Sequence, residues 1–413
     1  MYPRHLDSIV RESLQHARVL LVNGARQTGK TTLVKSLMGS TFPAIYQTFD
    51  DVATLSAART DPSGYIKQFS GPVILDEVQR APEVFLPIKM AVDSNPQPGS
   101  FVLTGSANVL TLPRMADSLA GRLEILSLWP LSQSEIEGGA ENFIDRAWSD
   151  PIHPPGPKAI ERAELFDRLL RGGYPAALSR GAGRSREQWF ASYVTTLLER
   201  DVRDLSQVRD LTDFPRLLQA FASRSSNLMN LNDISRTVGI QHETLRRYTA
   251  LLKAIWLVVE LPAWSGNIGK RLMKTPKLTL SDTGLMSHIL GINQQRLARE
   301  PLLLGQLLES FVVMELQKHL TWSTQIGVKL FHYRDQSGSE VDIVLEAPSG
   351  EIVGVEVKAT ATPNAGDLRG LKALRAAVGK RFRRGILLHT GTTTTHHSDD
   401  IYLWPISSLW QGD

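Results

Sequence analysis

The 413-residue sequence contains no cysteine. This absence excludes a disulfide framework, a thiol nucleophile and any zinc or iron–sulfur site held by cysteine. Long hydrophobic runs are also missing, since the longest apolar stretch near the N-terminus is VLLV at 19–22. Four residues are far too few for a signal or membrane helix. We therefore expect a cytoplasmic protein without a membrane partner.

The chain also lacks a strong net charge and a biased composition. Its formal net charge is +4, with 42% hydrophobic and 21% charged residues, which excludes disorder or a collagen-like repeat for most of the chain. The length predicts about three domains. The basic excess is concentrated at 216–277, which holds 10 basic and 3 acidic residues. This window is typical of a nucleic-acid contact or of a solvated basic face, and both interpretations stay open.

The order of apolar and amphipathic segments predicts an α/β protein. In the first third, short apolar runs alternate with amphipathic stretches, as in a parallel sheet flanked by helices. The predicted elements there are a helix at 5–17 and strands at 19–22, 44–49, 73–75, 101–103 and 123–128. Later elements are a proline-rich linker at 150–157, a mostly helical region, a helix at 303–320, strands at 329–333, 340–346, 351–358 and 385–389, and a loop at 390–400.

A glycine-rich segment after the first strand predicts a nucleotide site. Residues 24–31 read GARQTGKT and match every fixed position of the P-loop pattern, between a strand and a helix at 31–38. Its backbone N–H groups would surround phosphates, Lys30 would neutralise them and the Thr31 hydroxyl would ligate Mg²⁺. The alternative, a glycine-rich turn with a surface lysine, is disfavoured by this context. The predicted ATP-binding residues are Gly24, Ala25, Arg26, Gln27, Thr28, Gly29, Lys30, Thr31 and Thr32.

Two adjacent carboxylates end the strand VILDE at 73–77. We expect Asp76 to hold the Mg²⁺ shell and Glu77 to orient the attacking water, which favours ATP hydrolysis over binding alone. Thr104, at the end of the strand FVLTG, is the candidate to sense the γ-phosphate, and ordinary turn chemistry is the alternative. Arg122 is the candidate arginine finger, acting in its own or a neighbouring subunit, with Arg114 and Arg26 as rivals.

The order GARQTGKTT, ILDE, LTGS, SLAGR and LWPLS resembles the AAA-superfamily ATPases of bacteria and archaea that carry a C-terminal domain of unknown function. The resemblance continues through RGGYPAAL at 171–178, TLLERDVRDL at 196–205 and the EVD and EVK segments, and thus spans nearly the whole chain. It implies an ATPase domain at 1–149, a helical region at 161–300 and a separate domain at 301–413.

A helix-turn-helix is predicted inside the basic window. Residues 228–252 contain a short helix at 232–238, a glycine at 239 and a second helix at 241–252, and an apolar run at 255–261 would supply a wing strand up to 262. This arrangement is typical of DNA-binding winged helices, although winged helices also contact proteins. The candidate base-contacting residues are Gln241, His242, Arg246 and Arg247, and the candidate phosphate contacts are Lys270, Arg271, Lys274 and Lys277.

The segment SEVDIVLEAPSGEIVGVEVK at 339–358 predicts an antiparallel hairpin closed by a three-residue loop at 348–350. This register pairs Asp342 with Glu356, and Glu340 with Lys358. It also predicts that one face is purely apolar; the residues on that face are Val341, Ile343, Leu345, Val353, Val355 and Val357.

The carboxylates of this hairpin predict a second Mg²⁺ site. Asp342 and Glu356 would hold the metal, and Lys358 would stabilise the attacking water or the scissile phosphate. The pattern resembles the restriction-endonuclease-like PD-(D/E)xK family, which implies a nuclease-like fold and adds Glu309 on the preceding helix. Val341 replaces the first proline of the family pattern. The alternative is a surface salt-bridge cluster on an amphipathic hairpin.

Three functional hypotheses follow. The first is a Mg²⁺-dependent ATPase that drives a winged-helix, nuclease-like half acting on nucleic acid, most simply DNA. The second is an ATP-dependent switch or scaffold whose C-terminal half is a catalytically silent protein-interaction module. The third is a DNA binder that uses ATP only for assembly. An arginine finger supplied in trans would require a homo-oligomer.

Overall fold

Three β-sheets with surrounding helices make up the computed structural model, which describes residues 2–106, 119–152, 156, 160–202, 212–398 and 400–411. The strands are β1 (Val19–Asn23), β2 (Ile45–Thr48), β3 (Val73–Asp76), β4 (Phe101–Gly105), β5 (Leu123–Ser127), β6 (Asn227–Leu228), β7 (Val258–Leu261), β8 (Lys277–Leu280), β9 (Lys329–Arg334), β10 (Glu340–Glu346), β11 (Ile352–Lys358), β12 (Phe382–His389), β13 (Thr395–Ser398) and β14 (Ile401–Pro405).

The helices divide among the same three regions. They are α1 (Leu6–Ser13), α2 (Lys30–Ser36), α3 (Val52–Thr60), α4 (Pro62–Lys67), α5 (Phe85–Ser94), α6 (Gln133–Glu137), α7 (Phe143–Trp148), α8 (Arg162–Arg171), α9 (Pro175–Leu178), α10 (Arg184–Thr196), α11 (Phe214–Ser223), α12 (Leu231–Val238), α13 (His242–Ala254), α14 (Ile268–Met273), α15 (Thr283–Leu290), α16 (Gln294–Arg299), α17 (Pro301–His319) and α18 (Arg369–Val378). None of the described helices combines the length and apolarity needed to cross a bilayer.

The first sheet is entirely parallel, with strand order β2-β3-β4-β1-β5. Separate apolar clusters cover its two faces. The sequence predicted all five strands, and the α/β class is confirmed. The three central strands β4, β1 and β3 are buried on both faces and therefore read as continuous apolar runs. Since β4 lies between β1 and β3, the P-loop strand and the Asp76 strand are not neighbours.

The middle region contains a small antiparallel sheet, β6-β8-β7, beside a helix pair. The element order is α11, β6, α12, α13, β7, α14 and β8. Gly239 ends α12 in the left-handed conformation, as the turn of the predicted pair requires. β7 occupies the end of the predicted wing segment, whereas β6 and β8 were not predicted, because strands of two and four residues give little periodic signal.

The C-terminal region is built on a six-stranded mixed sheet of order β13-β14-β12-β11-β10-β9. The loop predicted at 390–400 was wrong in part, because β13 forms there and pairs with β14. An exposed edge strand carries no apolar alternation, so the sequence did not mark it. The strand β14 was also missed.

The β10–β11 hairpin has the predicted register. Ile343 pairs with Val355 and Leu345 with Val353, and Gly350 occupies the left-handed position of the loop at φ +84°. One prediction was wrong: Val341 packs in the apolar cluster on the other face of the sheet. The reason is a β-bulge between Val341 and Val344, which inserts one extra residue opposite β9 and reverses the side chain's face.

One apolar core runs from the helical middle region onto the α17 face of the six-stranded sheet. It includes Phe143, Leu285, Phe311, Val355 and Trp404. The opposite face of the sheet packs against α18 around Leu371. The boundary predicted at 300/301 therefore passes through a continuous core, and the assignment of separate domains stays a prediction.

Candidate nucleotide, carboxylate and nucleic-acid sites

The P-loop connects β1 to α2 around a close backbone approach. A Cβ atom on Gly24 would lie 2.1 Å from the carbonyl oxygen of Leu128, and Gly24 has φ +149°, so only glycine fits there. Gly29 caps α2 in the left-handed conformation. The buried Lys30 ammonium donates to the carbonyl oxygens of Gly24 at 3.0 Å and Ala25 at 2.9 Å. The loop thus holds a buried cation at a helix N-terminus, the arrangement that binds phosphate.

Three hydroxyl groups converge on the Asp76 carboxylate. The Thr31 hydroxyl donates to both oxygens, at 3.1 and 3.0 Å, Tyr46 donates at 2.7 Å, and Thr104 also donates. The all-oxygen donor set of Thr31 and Asp76 suits Mg²⁺. Tyr46 was not predicted, because no motif marks the end of β2. Burial, together with the bond to Asp76, raises the pKa of Tyr46.

Glu77 is held by two polar neighbours. Its backbone has φ +60°, and its N–H donates to the Thr104 hydroxyl at 3.1 Å. The Gln79 amide donates to the Glu77 carboxylate and, at 2.9 Å, to Ser106. Thr104 therefore bridges the two acidic residues, and Gln79, which was not predicted, fixes the side chain proposed to orient water.

The structure does not bring Arg122 to the P-loop within one chain. Arg122 immediately precedes β5, whose first residue lies level with Val19 at the start of β1. Arg122 therefore lies at the N-terminal ends of the parallel strands, whereas the P-loop lies at their C-terminal ends. The five residues of a strand separate these two ends by about 15 Å. Its guanidinium pairs with Asp93 at 2.5 Å. Action from a neighbouring subunit stays a prediction, and Arg114 lies outside the described residues.

The third candidate arginine lies in the P-loop itself. The backbone carbonyl of Arg26 accepts a hydrogen bond from the Tyr193 hydroxyl at 3.1 Å, and the same hydroxyl lies 3.0 Å from that of Tyr174. Tyr174 belongs to the segment RGGYPAAL, which docks on the residues after β5 through the bond from Leu131 N to Gly173 O at 2.8 Å. The helical region is thus fastened directly to the nucleotide loop.

A cavity of about 520 Å³ adjoins the P-loop. The N-terminal residues Tyr2 and Arg4, Gly29 and Thr32 of the loop region, and Pro175 of α9 line it. Arg4 braces this wall: its guanidinium donates to the carbonyl oxygens of Thr28 at 2.6 Å and Trp129 at 2.8 Å, and to Glu135 at 2.9 Å. The position and size suit the base of a nucleotide whose phosphates lie in the loop. No spacing signal connects Arg4 or Pro175 to the P-loop in the sequence.

The second predicted site gathers at one end of the β10–β11 hairpin. The Asp342 carboxylate accepts from the backbone N–H of Val357 at 2.8 Å, and Lys358 pairs with Glu356 at 2.7 Å. Glu309 on α17 and Glu340 join the cluster through Lys277, which lies 2.7 and 2.6 Å from their oxygens and 3.8 Å from Asp342. The described residues contain no group of three acidic or histidine side chains arranged to hold a metal.

Burial governs the acid–base behaviour of this carboxylate–lysine cluster. It raises the pKa of Glu309 and that of Glu356 to about 8, with a further contribution from the neighbouring Asp342 charge, and it raises the pKa of Asp342 as well. Burial alone would lower the pKa of Lys277 and of Lys358, but the surrounding carboxylates outweigh it and raise both. The raised pKa values mean that these buried carboxyl groups favour their protonated forms, and a bound cation would favour their ionised forms instead.

The basic window forms an exposed surface across the helix pair and the small sheet. Arg246 and Arg247 are exposed on α13, as is Gln241, which immediately precedes this helix. His242, Arg246 and Lys274 line one groove of about 510 Å³. Six basic residues of the window are exposed and make no salt bridge within the described part of the chain; they are Arg216, Arg236, Arg246, Arg247, Lys270 and Lys274.

Two of the predicted phosphate contacts were wrong. Arg271 makes a bidentate bond to Glu346 at 2.5 and 2.7 Å and stacks on Phe331. Lys277 is buried among the carboxylates described above. Both side chains therefore join the middle region to the C-terminal sheet and are not presented to a ligand in solvent.

Three family models match successive parts of the chain. Residues 16–137 match an AAA domain, residues 162–296 match the domain of unknown function DUF8612, and residues 304–409 match the domain of unknown function DUF4143. The first match contains the P-loop together with Asp76, Glu77 and Thr104.

Two curated relatives match most of the chain. They are the uncharacterized protein Rv2008c of Mycobacterium tuberculosis and the uncharacterized protein Mb2031c of Mycobacterium bovis. Each is 32% identical over 357 residues, which is 86% of this chain and 73% of the relative.

Solved structures show weaker likeness. RuvB from Thermotoga maritima is 18% identical, with 62% of this chain and 89% of that chain covered and a TM-score of 0.31. AMPPCP-bound DnaA from Aquifex aeolicus is 13% identical, with 60% and 86% covered and a TM-score of 0.28. Likeness of this size transfers no function to the present chain.

Proposed function

The chain belongs to the same family as the mycobacterial proteins Rv2008c and Mb2031c and contains an AAA domain, and we propose that it is a Mg²⁺-dependent ATPase coupled to a DNA-binding, nuclease-like C-terminal half. The observation that carries the ATPase proposal is the contact of the P-loop hydroxyl of Thr31 with the Asp76 carboxylate, beside the buried Lys30. Lys30 neutralises phosphate charge, and Thr31 and Asp76 hold Mg²⁺, which supplies Lewis-acid stabilisation of the transferred phosphoryl group.

Glu77 is the proposed residue that orients the attacking water. Its backbone is anchored on Thr104 and its carboxylate on Gln79, so the side chain has a defined position next to the Mg²⁺-holding Asp76. The base of ATP occupies the cavity that Arg4 braces. Because Arg4 bonds both to the P-loop and to Glu135 after β5, nucleotide binding acts on both segments.

A buried polar contact provides the coupling between the two halves. The Glu315 carboxylate of α17 accepts from the backbone N–H of Gln133 at 2.8 Å, and Lys318 donates to the Leu131 carbonyl at 3.0 Å. Glu309 lies six residues before Glu315 on the same helix, about 9 Å along its axis. A displacement of the segment after β5 would therefore be carried by a rigid helix to the carboxylate–lysine cluster.

The DNA-binding proposal is supported by the element order of the middle region and by its exposed basic surface. The second helix of the pair, α13, presents Arg246 and Arg247, and the strands β7 and β8 flank it as a wing would. The nuclease-like proposal is supported by the hairpin register, which places Asp342 and Glu356 on adjacent strands with Lys358 two residues further along.

The ion pairs of Lys277 favour a second candidate, a catalytically silent interaction module. A lysine within 4 Å of Glu309, Glu340 and Asp342 satisfies these acids without a metal. In this case the ATPase would act as a switch for a protein partner, and the C-terminal half would not cleave nucleic acid.

Assays of ATP turnover and DNA cleavage on the purified full chain distinguish the two candidates. Lys30→Ala is expected to lower ATP turnover by about 100-fold or more, whereas Lys67→Ala, at an exposed lysine ending α4, leaves it unchanged.

Asp342→Asn is expected to abolish Mg²⁺-dependent cleavage and to spare ATP turnover, with Glu351→Gln at the other end of the hairpin as its control. Wild-type protein that hydrolyses ATP but cuts no DNA with Mg²⁺ or Mn²⁺ would support the silent module; unchanged turnover in Lys30→Ala would refute the ATPase.

A further inference from the structure

A lysine from the middle region lies among the carboxylates of the C-terminal sheet. Lys277 is the first residue of β8, and its side chain is only 5% exposed. Its ammonium lies 2.7 Å from Glu309 on α17, 2.6 Å from Glu340 on β10 and 3.8 Å from Asp342 on the same strand. Carboxylates from two separate elements thus converge on one cation supplied by a third.

This ammonium lies among carboxylate oxygens, and one of the three acids, Asp342 at 3.8 Å, is a residue to which we assign the metal. A lysine head group is a compact point charge with three donors, and the contacts of Lys277 within the described part of the chain are to carboxylate oxygens. Magnesium and manganese prefer the same oxygens at shorter distances. With Lys277 in this position, the described residues contain no group of three acidic side chains arranged to hold a metal.

One buried carboxyl oxygen in the same cluster has no hydrogen-bond partner among the described residues. Glu356 is 6% exposed; one of its oxygens pairs with Lys358, and the other, Oε2, is buried and has no hydrogen-bond partner in the described part of the chain. Leaving a polar carboxyl oxygen buried and unpaired is unfavourable in either protonation state. Lys277 therefore satisfies Glu309 and Glu340 but leaves this oxygen of Glu356 without a partner.

We propose that Lys277 is an internal gate that competes with a divalent cation for the carboxylate–lysine cluster, and that the metal binds when the ammonium withdraws. The inference rests on the proposed function in assigning the metal to Asp342 and Glu356. The basic groove supplies a route for control, because Lys274, three residues before Lys277, lines it with Arg246. DNA bound in that groove displaces the segment that ends in Lys277. This displacement withdraws the Lys277 ammonium from the carboxylates and opens the metal site next to the substrate.

Titration of nucleotide-free full-length protein with Mn²⁺ tests the gate directly. All variants carry Asp76→Asn to suppress binding at the ATPase site, and calorimetry reports Mn²⁺ affinity. Lys277→Met is expected to bind Mn²⁺ at least 10-fold more tightly than its parent, and adding Asp342→Asn is expected to remove this gain. Lys67→Met, at an exposed lysine of α4 outside the cluster and the basic window, is the control and is expected to leave the affinity unchanged. Equal affinity of Lys277→Met and its parent would overturn the proposal.

A second variant keeps the test decisive if Lys277→Met does not fold. Glu340→Gln removes a partner of Lys277 that is not an assigned metal ligand. The gate predicts tighter Mn²⁺ binding in this variant, because the ammonium is held less firmly. Simple charge attraction predicts the reverse, because one negative charge is lost, and weaker or unchanged binding would therefore contradict the gate.

The outcomes also separate the gate from the proposed nuclease. Tight Mn²⁺ binding by Lys277→Met without any DNA cleavage would refute the nuclease and leave the gate in place. DNA cleavage by the wild type, with no gain in Mn²⁺ affinity in either variant, would refute the gate and leave the nuclease in place.

Discussion

At the scale of single residues, polar side chains that no motif contains hold the candidate sites together. Asp76 was predicted from its strand, but its partner Tyr46 was not, and Glu77 is fixed by Gln79. Each partner comes from a different position along the chain, so neither spacing nor periodicity connects it to the site. A motif identifies the group that contacts the ligand, whereas packing selects the group that positions it.

His319 at the end of α17 gives a pH prediction at this scale. Complete burial lowers the pKa of His319 to about 3 from an unfolded value of 6.5, and its Nδ1 accepts from the Phe143 N–H at 3.1 Å. Between these values the unfolded chain binds the proton and the folded chain does not. Stability from this residue is therefore complete above pH 6.5 and is lost as pH falls toward 3, by about 2 kcal/mol at pH 5.

Urea unfolding at pH 7.5 and pH 5.0 measures this loss. His319→Asn keeps an acceptor but cannot titrate, so its stability is expected to fall less between the two pH values than that of the wild type. His397→Asn, at an exposed histidine on β13, serves as the control and should show the wild-type difference. Equal pH dependence in His319→Asn and the wild type would contradict the assignment.

At the scale of elements, strands with strong apolar periodicity were predicted from the sequence, whereas short or exposed strands were not. All five parallel strands and the hairpin register were predicted, because burial on one or both faces imposes an apolar pattern. β6 and β8 were missed, because they are short and pair with strands distant in sequence. The edge strand β13 was missed, because an exposed strand carries no apolar alternation. The bulge in β10 likewise moved Val341 to the other face, and the local sequence does not mark it.

The helix α13 supports a prediction about DNA binding. Arg246→Glu with Arg247→Glu reverses two exposed charges on this helix, and we expect at least a 10-fold weaker affinity for double-stranded DNA at low salt. The slope of log affinity against log salt should become shallower by about 2, since two phosphate contacts are lost.

Fluorescence anisotropy over a series of salt concentrations provides this measurement. Lys67→Glu with Arg299→Glu makes the same change in net charge at exposed positions outside the basic window and is the matched control. If both double variants weaken DNA binding equally, the effect comes from net charge, and α13 is not a DNA contact.

At the scale of the whole molecule, the three sheets are joined through α17 and the small antiparallel sheet. α17 carries Glu309 toward the carboxylate–lysine cluster and Glu315 and Lys318 toward the segment after β5. The small sheet carries Arg271 and Lys277 into contact with the C-terminal sheet. These contacts bury charge between regions, so a conformational change in one region must be accommodated by the others.

Breaking the buried pair of Glu315 and Lys318 tests this connection. Glu315 is fully buried and lies 2.7 Å from the Lys318 ammonium. Glu315→Leu leaves that ammonium uncompensated and is expected to cost about 3–5 kcal/mol of unfolding free energy. Glu315→Leu with Lys318→Met removes both charges and is expected to cost clearly less than the single variant. Urea denaturation decides the point, and a double variant less stable than Glu315→Leu would show that the pair does not act as a unit.

Local sequence patterns were sufficient to predict the α/β class, the five parallel strands, the P-loop with Asp76 and Glu77, and the register of the β10–β11 hairpin. These features depend on local chemistry: apolar runs buried in a sheet, glycines that permit one backbone path, and alternation that allows one pairing. Contacts between groups distant in sequence became visible in the folded chain. The fold places Arg122 at the strand ends opposite the P-loop, Arg4 against the P-loop and Lys277 among the carboxylates. The physical reason is that such contacts are selected by the free energy of burying charge beside compensating charge, which depends on the complete fold.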